Sequence, residues 1–545
     1  MATQKTTDDS GSVTRGLDDP KLSKLASLIR RSFRVRDNRD PIYVDVAQNL
    51  ERIGLDQHQI VFGRRGSGKS CLLIFFRRQV APGSNVHTIY ILGDTIKTLD
   101  YPDVLIRLLL AVFEGLPSRS RWARFKRRLT RQKSPTDEII NELRELLALP
   151  SSSKVTVTTS TTVSEKGGAS GGITKGPVQA TVDTEDAVSD SWKEVRESDE
   201  HKIRIVDGRL ADYKTVVQQE LDAANCEFGV FIIDDFYLIN PEYQPEVIDY
   251  LHRLLRDTDL YLKVGTVRHR TTLLRTSPIH VGVQLNQDVD GFNLDHTLED
   301  IGQTGAYLGE MLRKMGHEVG LEDAPSIMSD EARNELVLLS GGVPRDYLNI
   351  FLGGLERARS MKGRQRVTPT DLRKAAESLS QETKFRDLRT DAGADVPSLE
   401  ALFVDLVTFC LKEKRTTAFL VSKDDIAQYP AVHDLIQQLM DFKLIHLVDE
   451  STSAASGRPG RFEAYTLDFA LFMEPRRRNI EIVRFWETDD QRRRVRLREA
   501  PDYPLERGDA ILKGDQLPKA EEALEVADEL PAESTQEGEA LKLFD

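Results

Sequence analysis

Cysteine is scarce in this sequence: Cys71, Cys226 and Cys410 are the only three in 545 residues. Each sits in an apolar stretch far from the others, which supports neither a disulfide framework nor a zinc cluster. Long apolar runs are missing as well. None approaches the roughly 20 residues that a bilayer span requires, so no membrane partner is expected. The first 20 residues are polar and acidic and lack the apolar segment of a secretory signal, which makes the cytoplasm the expected location. No internal repeat is visible, which argues against a solenoid sensor built into the chain.

Charge is present in quantity but unevenly placed. Lys and Arg number 75 against 88 Asp and Glu, a formal net charge of −13. Residues from Pro501 to Asp545 include 13 acidic and 4 basic side chains, so this tail carries −9 of the total and reads as a solvated, disordered segment. The remaining 500 residues are close to neutral, and overall acidity is therefore no argument against nucleic acid.

Hydrophobic residues make up 39% of the chain, enough for several cores. Lys21 to Arg34 has a helical pattern. The strand His58 to Phe62 runs into Gly63-Arg64-Arg65-Gly66-Ser67-Gly68-Lys69-Ser70 and the apolar helix start Cys71 to Phe76, followed by a strand at His87 to Leu92 and a helix at Pro102 to Leu116. This alternation is that of an α/β core. From about 117 to 200 the core is interrupted, first by the basic run Arg119 to Lys133, then by a Ser/Thr/Gly-rich stretch over 151–182 that reads either as a hairpin or as a flexible loop. The core resumes with a helix near Leu210 to Ala223, the strand Val230 to Asp235, a helix from Pro245 to Arg256 and the strand Tyr261 to Thr266.

Gly63-x4-Gly68-Lys69-Ser70 is the phosphate-loop pattern. Its glycines let backbone N–H groups cradle phosphate oxygens, Lys69 reaches the β- and γ-phosphates, and Ser70 offers a hydroxyl to Mg²⁺. The whole run from Gly63 through Arg64, Arg65, Gly66, Ser67, Gly68, Lys69, Ser70 and Cys71 is the expected ATP-binding segment, with the helix start adding partial positive charge. Val230-Phe231-Ile232-Ile233-Asp234-Asp235 is apolar enough to be buried on both faces and ends in two acids at the carboxyl edge of the sheet. Asp234 is expected to hold Mg²⁺ together with Ser70, and Asp235 to polarise the attacking water.

With these motifs the chain resembles the AAA+ and STAND branch of P-loop ATPases, particularly the origin-recognition initiators, over roughly residues 40 to 475 apart from the insertion. The resemblance implies a parallel P-loop sheet, a helical lid and a C-terminal winged helix, with Mg²⁺-dependent ATP hydrolysis. It implies a γ-phosphate sensor after the next strand, where Gly265-Thr266-Val267-Arg268 offers Arg268 first and Thr266 second. A second sensor is implied at the start of a lid helix, where Gly341-Gly342-Val343-Pro344-Arg345 offers Arg345. It also implies an arginine finger supplied by a neighbouring copy in a homo-oligomer, for which Arg253, Arg256, Arg270 and Arg275 are candidates. The family commonly ends the acidic pair in glutamate. Asp235 is one methylene shorter, which implies slow turnover.

The corresponding domain plan is an arm and helix over 1–38, the ATPase core over 39–292, a helical lid over 293–385, a winged-helix domain over 386–475, and a basic segment leading into the acidic tail over 476–545. In the winged-helix region, helices near Leu399 to Lys412, Lys423 to Gln428 and Ala431 to Phe442 precede a hairpin of Leu444 to Asp449 and Phe462 to Leu467. The recognition-helix position carries His433, Asp434, Gln437, Gln438 and Asp441 and no cation, so duplex DNA contact falls to Arg458 and Arg461 and to the runs Arg476 to Arg478 and Arg492 to Arg494. The run Arg119 to Lys133, with Trp122 and Phe125, is either a second nucleic-acid surface or an amphipathic helix with a solvated face. Two functions from different classes fit: an ATP-driven switch acting on DNA or a partner, or a nucleotide-stabilised adaptor for a separate protein effector with little hydrolysis.

Overall fold

The computed structural model describes residues 16–33, 41–45, 48–117, 134–150, 196–455, 457, 459–472, 482–487 and 494–514. They fall into two compact units, Asp37–Leu294 and the combination of Met1–Arg36 with Asp295–Asp545.

The first unit is built on a parallel sheet. Its strands are β1 (Gln59–Phe62), β2 (His87–Leu92), β3 (Gly229–Asp234), β4 (Leu260–Thr266) and, after a short antiparallel ladder of β5 (Leu274–Arg275) and β6 (Val281–Gly282), β7 (Asp290–Asn293). The order is β2-β3-β4-β1-β7, which makes β1 and β3 interior neighbours of β4. The inner strands are apolar at nearly every position because both faces are covered. Ile60, Phe62, Phe231, Ile233, Leu262 and Val264 join the core under one helical layer, while Val61, Val230 and Ile232 pack with Leu72 and Leu73 of the Lys69–Phe75 helix on the other face. This is the parallel sheet, with a phosphate loop after β1, that the resemblance implied.

The interruption expected over about 117–200 is smaller than the composition suggested. Pro135–Ala148 is a helix, with Pro135 in its first turn beside Asp137 and Glu138, and it buries Ile139, Leu143 and Leu146 in the same core as Leu109 and Phe113. Residues 196–208 are also helical. Lys202, fully buried, donates to Asp103 Oδ1 at 2.7 Å and to the Pro150 carbonyl at 2.9 Å, fastening both flanks to the core. The basic run 119–133, with Trp122 and Phe125, and the stretch 151–182 lie outside the described residues.

In the second unit, the Pro20–Ser32 helix buries Leu22, Leu25, Ala26 and Ile29 and packs on the Ile301–His317 helix. Arg359 donates to the carbonyls of Leu17 and Asp19, and Lys21 Nζ to that of Gly320. Helices Asp330–Leu339, Pro344–Ser360 and Pro369–Asp391 follow, the last opened by a capping box in which the Thr368 amide donates to Asp371 at 3.0 Å.

Next come the Val396–Val407 helix, β8 (Ala418–Ser422), helices Lys423–Gln428 and Pro430–Asp441, β9 (Ile445–Thr452) and β10 (Phe462–Leu467), with the antiparallel order β8-β10-β9. β8 is an addition to the three helices and hairpin read from the sequence. Part of the expected disordered tail is folded. The Leu420 amide donates to the Pro501 carbonyl and the Tyr503 amide to the Leu420 carbonyl, both at 2.8 Å, covering the edge of β8. Tyr503 and Leu505 are buried in the same core, and Arg507 reaches Asp405 at 2.7 and 2.9 Å. A buried tyrosine and leucine together with a forked ion pair explain why an acidic segment folds here. Arg458, 476–478, 492–493 and residues from 515 onward lie outside the described residues.

Candidate nucleotide site

The phosphate loop leaves β1 at its carboxyl end, where the Gly63 amide donates to the Thr266 carbonyl of β4 at 3.2 Å. Gly66 and Gly68 take φ values of 90° and 101°, a conformation that residues with a Cβ seldom adopt. Lys69 is buried and lies back across its own loop, donating to the carbonyls of Gly63 at 2.7 Å and Arg64 at 3.1 Å. Arg64 is buried as well. The Ser67 hydroxyl is buried with no hydrogen-bond partner, an orphaned donor inside the loop. Cys71 is turned aside: its thiol donates to the Ile42 carbonyl at 3.3 Å and burial pushes it up to about 12, so only its backbone belongs to the loop.

The acid at the end of β3 meets this loop. Asp234 is fully buried and accepts from the Ser70 hydroxyl, from the Tyr90 hydroxyl at 2.9 Å and from the Asp235 amide at 3.0 Å. Burial and the neighbouring Asp235 push its carboxyl up to about 6, against the pull of Ser70, Tyr90 and Lys69. A Cβ at Gly265 would stand 3.0 Å from Asp234 Oδ1, so this glycine leaves room for the acid.

Asp235 is half-buried and held at φ 56°, the left-handed region that is costly for a residue with a side chain. Gly93, just past β2, makes that backbone possible, since a Cβ there would come within 2.3 Å of the Asp235 carbonyl.

The sensor residues differ in what they are committed to. Thr271 donates its hydroxyl to the Val267 carbonyl at 2.6 Å, so the 2.6 Å contact between the Thr266 and Thr271 hydroxyls uses the Thr266 proton. Thr266 is thus tied down within its own turn. Arg268 is exposed and its guanidinium lies 4.4 Å from the centroid of Phe62, the residue before Gly63. Arg345 is exposed in the other unit, at the second position of the Pro344–Ser360 helix after Gly341 and Gly342 at φ 56° and 76°. The first unit therefore brings together Lys69, Ser70, Asp234, Asp235, Thr266 and Arg268, and Arg345 is not of that group.

Tyr90, Gly93 and Tyr237 are the residues that sequence reasoning missed. Arg65 Nε donates to the Tyr237 hydroxyl at 3.2 Å, and Tyr237 lies two residues past Asp235. No motif spacing marks any of the three.

The core is a P-loop nucleotide-binding fold. Its strand order, loop and buried acid decide this. No family model and no curated protein matches the chain. Among solved structures it is similar to the ORC1 protein of Aeropyrum pernix in complex with DNA, at 14% identity over 82% of this chain and 88% of that one, with a TM-score of 0.30. A Walker-type ATPase of Pyrococcus abyssi is matched at 12% identity over 80% and 97%, TM-score 0.38. A STAND protein with a tetratricopeptide repeat sensor from Pyrococcus horikoshii is matched at 13% identity over 79% of this chain but 42% of that one, TM-score 0.27. Superpositions this loose add nothing to what the loop and the sheet already establish.

The donor set suits magnesium. Among the described residues no group of three or more His, Cys, Asp or Glu is arranged to hold a metal, and Mg²⁺ with a nucleotide needs only one or two protein oxygens beside phosphate and water. Ser70 and Asp234, which meet in a hydrogen bond, are residues that could supply those.

Proposed function

We propose that this chain is a Mg²⁺-dependent ATP-binding switch that hydrolyses ATP slowly and passes its nucleotide state to a partner through a C-terminal winged helix. The contact between Ser70 and Asp234 beneath a phosphate loop with an orphaned Ser67 hydroxyl carries the nucleotide reading. Magnesium, when bound, supplies positive charge to the β- and γ-phosphate oxygens. Lys69 would bind those phosphates, and Ser70 with Asp234 would hold the metal. In hydrolysis the oxygen of a water attacks the γ-phosphorus and the bond to the β–γ bridging oxygen breaks. ADP leaves with that electron pair, and the water proton passes to solvent by way of the Asp235 carboxylate. Asp235 reaches less far than a glutamate, which keeps turnover slow. Arg268 and Arg345 follow the γ-phosphate from the core and from the lid.

For the C-terminal unit one observation favours a protein partner over duplex DNA. On the Pro430–Asp441 helix, His433 contacts Glu463 at 2.9 Å, Gln437 donates to the Tyr465 hydroxyl at 2.8 Å and Gln438 to Asp395 at 3.3 Å, while Asp434 is exposed. Arg494 donates to the carbonyls of Val448 and Glu299, and Arg498 to that of Ser453, so both arginines serve as struts beside the hairpin.

Two measurements test this reading. Wild type is expected to hydrolyse ATP with Mg²⁺ at a slow rate that Lys69→Ala and Asp235→Asn abolish. Nucleotide binding without turnover in wild type selects the adaptor reading instead. If the helix lay on DNA, Asp434→Arg would tighten duplex binding and steepen its salt dependence; the protein-docking reading predicts no change.

A further inference from the structure

Four arginines were candidates for a finger lent to a neighbour's site, and the structure separates them. Arg253 is paired with Asp249 at 2.8 Å and Arg275 with Glu246, ion pairs that hold the Gln244–Leu255 helix within its own chain. Arg256 is exposed, with its carbonyl accepting from Lys214. Arg270 is half-buried against its own nucleotide site, its guanidinium 5.0 Å from the Tyr237 ring centroid. The same ring receives Arg65 from the phosphate loop at 5.6 Å, with Arg65 Nε also donating to the phenol oxygen at 3.2 Å.

Three segments thus send one side chain each to a single point: the phosphate loop, the turn after β3 and the turn after β4. All three lie at the carboxyl ends of parallel strands, where this class of sheet binds its ligands. Tyr237 is the brace. It is buried, and burial together with Asp235 pushes its phenol upward, so it stays neutral beside two guanidiniums. Tyr237 lies two residues past Asp235, whose charge reaches its phenol, so the cluster stands beside the acid that the reading above assigns to the attacking water. Guanidinium forks suit phosphate oxygens in this setting.

We infer that Arg65 and Arg270, braced on Tyr237, form a clasp in cis for the terminal phosphate of the nucleotide, so that the site distinguishes a triphosphate from a diphosphate without a neighbour's arginine. The inference rests on the nucleotide reading above. Tyr237 acts through the arginines and is a positioning residue.

The test is equilibrium binding of ATP and ADP, each with Mg²⁺, to the full chain and its variants. Arg65→Ala and Arg270→Ala are each expected to weaken ATP by about tenfold or more while ADP changes less than about threefold. Retained ADP binding shows that the variants fold. Tyr237→Phe keeps the ring, loses the hydroxyl and is expected to show a smaller loss of the same kind. Adding excess Lys69→Ala protein, which carries both arginines, is expected to leave the Arg270→Ala defect in place. An unchanged ATP-to-ADP ratio in both arginine variants overturns the clasp, and so does restoration of ATP preference by the Lys69→Ala partner, which would assign Arg270 to a neighbour. Absence of any nucleotide binding by wild type overturns the underlying reading and the clasp with it, an outcome distinct from the other two.

Discussion

Asp234 and Asp468 are both fully buried carboxylates at the ends of strands, and their surroundings drive them in opposite directions. Asp468 follows β10 in the second unit. It accepts from Lys384 Nζ at 2.6 Å and contacts His446 Nε2 at 2.9 Å, and the Lys384 charge together with the hydrogen bond to His446 holds its carboxyl below the ordinary range despite burial. Nearby, Lys443 pairs with Asp346 at 2.9 Å, and the His446 ring lies against Gly341, where a Cβ would come within 2.1 Å. This cluster is neutralised from within and anchors the turn that carries Arg345. Asp234 is less well balanced: Lys69 pulls on it from the loop, but its hydroxyl partners are neutral, the acid beside it repels, and its carboxyl rises to about 6. The acid satisfied by its own chain is part of the scaffold, whereas the one held above its ordinary range is the one proposed above to organise Mg²⁺.

The largest effect that can break this comparison is expected from Asp468→Asn, which strands the buried Lys384 without its counter-charge and takes a hydrogen-bond partner from His446. It should destabilise the protein by roughly 3–5 kcal/mol in urea unfolding at neutral pH. A loss under about 1 kcal/mol would mean that the pair is not an anchor.

Asp234→Asn is expected to act in the opposite sense. A carboxyl raised to about 6 penalises the folded state wherever it is ionised. Removing the charge should therefore stabilise the ligand-free protein by up to about 3 kcal/mol above that pH. The gain should fade as pH falls from about 6 toward 4, where folded and unfolded chains are both protonated. Unfolding curves of wild type and variant across that window check both the sign and the range. A constant difference at all pH values would contradict it.

Gly93→Ala sharpens the same contrast through the backbone. A Cβ 2.3 Å from the Asp235 carbonyl forces the left-handed turn to move, at a cost of roughly 1–3 kcal/mol in thermal or urea unfolding. The smallest effect is expected from Tyr90→Phe, which removes one donor from the Asp234 carboxylate. The midpoint of the stability gain from Asp234→Asn, measured in that background, should rise by on the order of one pH unit.

How much of this could be read beforehand follows from which residues do the work. Strands β1, β3 and β4 were legible because doubly covered strands are apolar at consecutive positions, and the loop and both acids were legible because phosphate and metal chemistry fixes their spacing. β7 was not: Asp290-Gly291-Phe292-Asn293 is poor in strand-forming residues and is extended because Gln59 to Phe62 pairs with it in parallel. The Pro135–Ala148 helix was hidden by its polar neighbours, although Ile139, Leu143 and Leu146 form an apolar stripe. β8, four apolar residues followed by Ser422, was overlooked between two helices. Tyr90 and Tyr237 act through register and turn geometry that no linear spacing reveals. Tyr90 lies opposite Ile232 and reaches the acid two residues further along β3.

The most direct test of the central claim is a calorimetric titration of ATP into wild type and Asp234→Asn, with and without Mg²⁺. Asp234 as the metal-organising acid at the Lys69 loop predicts that Mg²⁺ tightens ATP binding to wild type and gives little or no tightening in the variant. An equal Mg²⁺ benefit in both proteins, or no ATP binding by wild type, would contradict it.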